Sequence, residues 1–73
     1  MTNYYENEVI HLKTAVTADV IGEGRSTIVP AGTIGSVVVV HLDSSEQALA
    51  YEVEFYLEDQ SCYALATIEA GNL

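Results

Sequence analysis

From Tyr51 to Leu57 the chain alternates at every step. Tyr51, Val53, Phe55 and Leu57 fall on one side, and Glu52, Glu54 and Tyr56 on the other. A period of two is the pattern of a strand with one face in a core and one in water. Glu58-Asp59-Gln60-Ser61 follows as a turn, and residues 62–68 read as a partner strand. Sequence proximity and turn chemistry make the two a hairpin.

The rest of the chain is also strand-like. Residues 34–42 form a second long strand whose centre, Val37-Val38-Val39-Val40, is β-branched throughout. A run apolar on both faces belongs to a strand covered on both sides, or to one that bends. Pro30-Ala31-Gly32-Thr33 reads as the tight turn before it, and Gly35 as a bulge or a close backbone approach. Residues 14–21 make a first strand, with Ala15, Val16, Ala18, Val20 and Ile21 as its apolar set. Gly22 to Thr27 reads as a flexible loop before Ile28-Val29, and residues 69–73 as a short turn and a final edge strand. Asn3 with Glu6, and Ser44 with Gln47, have the spacing of capping boxes. No apolar period of 3.6 residues follows either, so each caps one turn at most.

These elements predict an all-β fold, a small and strongly bent barrel of about five strands. Residues 1–11 are expected to be an N-terminal extension and residues 12–73 a single domain. A domain of this size buries only about 60% of its unfolded surface. Its stability is accordingly on the order of 4–11 kcal/mol.

Charge then narrows the function. Eleven acidic residues stand against Lys13 and Arg25, a net charge of −9 over 73 residues. Such an imbalance gives nothing to the fold; it acts outward, on solubility and on steering towards a basic partner. Nucleic-acid binding rests on neutralising phosphates with Lys and Arg, and anionic membranes attract the same residues, so both are disfavoured. The apolar fraction of 49% is that of a globular domain, no run approaches the length of a membrane span, and the first residues lack the pattern of a signal peptide. With the single cysteine Cys62 and no metal motif, the chain reads as cytosolic.

Three segments carry a family resemblance. They are the strand from Ala15-Val16 to Val20, the Gly-Thr-x-Gly-x-Val turn and strand within Pro30-Ala31-Gly32-Thr33-Ile34-Gly35-Ser36-Val37-Val38, and Ala50-Tyr51-Glu52-Val53-Glu54-Phe55. With Ala64-Leu65-Ala66-Thr67 and Leu73, the chain resembles a family of short bacterial proteins catalogued as a domain of unknown function, number 4926. The resemblance spans residues 12–73 and leaves Tyr4 to Ile10 outside. It implies a Src-homology-3-like barrel and no particular activity. The same turn is similar to the glycine turn of ribosomal and transcription-factor barrels that bind RNA, but those carry basic residues around it and Pro30-Ala31-Gly32-Thr33 has none.

Few side chains point to catalysis. Cys62 has no Cys-His motif and is surrounded by acids, which suits a small buried residue better than a nucleophile. His11 lies near Glu6 and Glu8, and His41 two residues before Asp43, without the spacing of a metal site. Gly22-Glu23-Gly24-Arg25-Ser26-Thr27 lacks the Gly-Lys-Ser/Thr of a phosphate loop, and Asp43-Ser44-Ser45-Glu46 lacks a calcium-loop pattern. No cofactor is expected.

The outward row Glu52, Glu54 and Tyr56, continued by Glu58 and Asp59, is the candidate partner-binding site. Tyrosine among acids offers contact area and hydrogen bonding beside negative charge, a composition suited to a basic protein surface. The expected function is therefore a non-enzymatic acidic interaction module, such as an inhibitor or antitoxin-like partner of a basic, nuclease-like protein. The alternative is a structural or accessory β-barrel subunit that self-associates as a homo-oligomer or docks on an enzyme, with the charge serving solubility alone.

Overall fold

A computed structural model describes residues 4–73, so the Asn3 cap and the first three residues of the extension lie outside the described residues. The fold is all-β. Strands β1 (Val9–His11), β2 (Val16–Val20), β3 (Arg25–Val29), β4 (Ile34–Leu42), β5 (Ala48–Leu57) and β6 (Cys62–Glu69) precede a single 3-10 turn, Ala70–Asn72. They form one antiparallel sheet in the order β1-β4-β5-β6-β2-β3. Among the described residues no ladder joins β1 to β3, so the sheet is open and these two strands are its edges.

Six strands stand where the sequence pattern predicts about five. The loop after β2 is shorter than its composition implies. Gly22 and Gly24 take φ of 80° and 64°, which lets the chain reverse over residues 21–24, and Arg25-Ser26-Thr27 already belong to β3. Their polarity hides the strand, because an edge strand is held by its backbone ladder to β2 and keeps much of its side-chain surface in water. Likewise Val9–His11, within the expected extension, pairs with β4 and buries Ile10. The expected final edge strand is instead the 3-10 turn, which drops Leu73 into the core.

The apolar run of β4 is explained by a bulge. The register passes from Val37↔Val53 to Val39↔Glu52, leaving Val38 without an opposite residue. Before the bulge Gly35 and Val37 face inward; after it Val40 does, and Val39 is exposed. Four consecutive valines are thus consistent with one apolar face, because the face changes phase midway. Gly35 is the close approach rather than the bulge: a Cβ there would lie 2.5 Å from Phe55 Cε1 and 2.6 Å from Val53 Cγ1.

Inward residues of all six strands meet in one core. Val29, Val37, Tyr51, Val53, Phe55 and Ala64 have no exposed surface. Leu12 seals one margin, where its N–H donates to the Thr33 carbonyl (3.0 Å) and its carbonyl accepts from the Gly32 N–H (2.8 Å). The turn Asp43–Gln47 is held by the Asp43 carboxylate, which accepts from the N–H groups of Ser45 (2.8 Å) and Gln47 (3.0 Å). Residues 44–47 therefore form a turn and not a helix. No helix among the described residues is long and apolar enough to cross a membrane.

Candidate functional site

The outer face of the sheet is set by β5. Because Tyr51, Val53, Phe55 and Leu57 are buried, Glu52, Glu54 and Tyr56 must leave the opposite side. Register then assigns their neighbours. One row across the sheet runs Val9, Ser36, Glu54, Leu65, Asp19 and Ser26, closed by a Ser26 Oγ donation to Asp19 Oδ1 at 3.0 Å. The next holds Val39, Glu52 and Thr67, and another pairs Tyr56 with Tyr63.

Tyr56 and Tyr63 form the exposed aromatic pair of this face, one step from the turn that ends the β5–β6 ladder. Their rings lie 5.0 Å apart, tilted by 58°, and about half of each residue remains open to solvent (49% and 52%). Cross-strand aromatic pairs of this kind are rigid and keep their apolar surface presented at low entropic cost. Glu54 is half-buried beside them. Glu52 is partly engaged: its Oε2 lies 2.6 Å from His41 Nε2, an ion pair when the imidazole is protonated.

Glu58 and Asp59 sit apart from Glu52 and Glu54, in the exposed turn between β5 and β6. With Tyr56 they line a cleft of about 350 Å³ whose far side is Ile28, Pro30 and Thr33. Gln60 anchors this turn to β3, accepting from Arg25 Nη1 (2.9 Å) and donating to Thr27 Oγ1 (3.1 Å). The five residues singled out from the sequence therefore divide into two groups that share Tyr56.

The other candidate residues take structural places. Cys62 is a buried free thiol of the core. His11 is an exposed residue of β1. Arg25 Nε donates to Glu23 Oε1 at 2.9 Å, and that hydrogen bond raises the guanidinium pKa above its usual value. Lys13 Nζ donates to the Leu73 carbonyl at 3.1 Å. Both full cations of the chain are thus engaged, Lys13 with Leu73, and Arg25 with Glu23 and with Gln60 of the turn that also carries Glu58 and Asp59. Among the described residues no three His, Cys, Asp or Glu side chains converge as metal ligands would.

Two features escape the sequence reading. Tyr63 was legible in principle, since the residues that flank a hairpin turn symmetrically face each other and Tyr56 and Tyr63 do so across residues 57–62. The second is a larger cleft, of about 730 Å³, between the N-terminal segment and the far end of the β4–β5 hairpin. Its walls are more than 30 residues apart in sequence, so no local pattern announces it. In comparisons with known proteins, the chain matches no family model, no curated protein and no solved structure.

Proposed function

We propose that this chain is a non-enzymatic interaction module that docks a basic protein surface on the outer face of its sheet. The observation that carries the reading is the exposed Tyr56–Tyr63 pair standing beside Glu54 in a chain of net charge −9. The tyrosines supply desolvatable area and the carboxylates supply complementarity and steering. A nuclease-like partner fits this chemistry, because carboxylates on a rigid face substitute for the phosphates that such a protein binds.

The test is association with a panel of small cationic nucleases, with a neutral protein as control, across a salt series. Binding should weaken steeply as salt rises, because the Debye length falls from ~10 Å at 0.1 M to ~3 Å at 1 M. An affinity that stays level across the series overturns the proposal.

A second reading, a self-associating or accessory subunit, is favoured by one observation. β3 is an edge strand, and Ile28 on it is 69% exposed. Free edges pair with other strands. Sedimentation of the chain alone separates the readings, since this one requires a concentration-dependent oligomer that Glu52→Gln and Glu54→Gln leave intact.

We further assign the open sheet to the Src-homology-3-like class that the resemblance implies, as a barrel that stops short of closure. The β4-β5-β6 meander, the bulge at Val38 and the 3-10 turn before Leu73 support this assignment. In solution, protected amides bridging β1 and β3 would mark full closure, and a flat sheet with no protection along β3 would remove the kinship.

A further inference from the structure

We propose that the cleft at the far end of the β4–β5 hairpin binds a cationic side chain, arginine or lysine, presented on an otherwise apolar segment of a partner protein. The inference rests on the reading of the partner as basic, but it uses a different face of the molecule.

Hydrogen bonds within the chain hold both walls. On the N-terminal side, Asn7 takes φ of 72° and its N–H donates to the Val37 carbonyl at 2.7 Å, which turns the chain back from β1. The Tyr5 N–H donates to Glu8 Oε1 (3.0 Å), and the Tyr4 N–H to the Tyr51 hydroxyl (3.2 Å). The Tyr4 ring meets Tyr51 edge-on at 5.6 Å. On the opposite side, the Asp43-capped turn places Glu46 at φ 61°. A preformed site loses less freedom on binding than one that must be ordered.

The lining states the ligand. Val40, Leu42 and Ala48 supply apolar surface, with Leu42 still 54% exposed, and Tyr5 stands 71% exposed at the cleft. Glu6 and Glu46 come from opposite walls, and no Lys or Arg is among the described residues that line the space. Lys13 and Arg25, the only such residues in the chain, are held by Leu73 and by Glu23 and Gln60. An apolar stem ending in a cation matches all three features: hydrophobic contact below, the tyrosine face for a cation–π contact, and carboxylates for the charge. A second copy of this chain is the wrong occupant, because it brings another −9 to an already negative surface.

The probe is a short capped peptide, Ala-Leu-Arg-Leu-Ala, titrated into the isotope-labelled chain and followed by amide chemical shifts. Its counterpart has glutamate in place of the arginine. The expected result is saturable shifts at Tyr5, Leu42 and Glu46 with the arginine peptide and none with the glutamate peptide. Tyr5→Ala and Glu46→Gln should each raise Kd by about tenfold. Leu42→Lys, which sets a like charge in the cleft, should abolish binding; well-dispersed spectra of the variants show that they fold. Glu54→Gln should leave this Kd unchanged.

Equal binding of the two peptides, shifts confined to Tyr56 and Tyr63, or no shifts at all would overturn the site. If the peptide fails while cationic nucleases still bind through Glu52 and Glu54, only this inference falls. If both fail, the basic-partner reading falls with it.

Discussion

Gly35 stands directly opposite Phe55 in the β4–β5 ladder, and the edge of the phenyl ring occupies the volume that a side chain at position 35 would need. Phe55 is fully buried, so the ring cannot yield without displacing other core residues or entering solvent. This contact fixes how closely β4 passes the core and hence how the outer face of β5 is aimed. Gly35→Ala should destabilise the fold by about 1–3 kcal/mol, through overpacking against Phe55 and Val53. Urea unfolding measures it; a midpoint equal to that of the parent chain would show that the sheet relaxes freely at this point.

Tyr51→Phe tests the tie between the N-terminal segment and the core. The ring would still fill its place, but the Tyr4 N–H would lose its acceptor. The expected cost is about 1 kcal/mol, with faster hydrogen exchange at Tyr4. Unchanged exchange at that amide would mean that the Tyr4–Tyr51 ring contact alone holds the segment.

Ser61→Gly should stabilise the protein. Ser61 adopts φ of 51°, in the left-handed region where a Cβ is unfavourable. Relief of that strain, less the greater freedom of glycine in the unfolded chain, leaves a gain of about 0.5–1 kcal/mol. The denaturation midpoint gives the sign directly, and a loss of stability would mean that the turn takes another conformation in solution.

Asp43→Ala removes the acceptor of two backbone N–H groups in the turn between β4 and β5. The hairpin end is exposed, so water replaces part of what is lost, and the penalty should be about 1 kcal/mol. Amide exchange should accelerate in residues 44–47 and not in β6. Uniform acceleration across the sheet would instead place this turn in the global unfolding unit.

Glu52→Gln and Glu54→Gln separate steering from folding. The His41–Glu52 pair is partly exposed, and such pairs contribute little, so each change should move stability by less than about 1 kcal/mol. The double variant should slow association with a cationic nuclease several-fold at low salt and leave dissociation nearly unaltered. Stopped-flow kinetics distinguishes the two rates. An unaltered association rate would remove these two carboxylates from the encounter surface.

Residues 51–57 show how much of the site could be read without coordinates. Alternation alone assigns Phe55 to the core and Glu54 to the surface, since a strand with one wet face permits no other arrangement. The turn after Leu57 and the buried place of Cys62 follow from equally local chemistry. β3 did not follow. Arg25-Ser26-Thr27 look like loop because a solvent-facing edge strand owes its extended form to a neighbouring ladder, and that ladder is absent from any single stretch of sequence.

Local order thus dictated the all-β class, the β5–β6 hairpin and the orientation of Glu52, Glu54 and Tyr56, because strand periodicity and a tight turn are properties of adjacent residues. The tertiary structure alone decided that Val38 is skipped in the ladder, that β1 and β3 end as unjoined edges, and that Tyr5 comes to face Leu42 and Glu46 across a cleft. Those outcomes depend on which distant segments pair and in what register. Register is set by the packing of the whole core, to which every strand contributes at once.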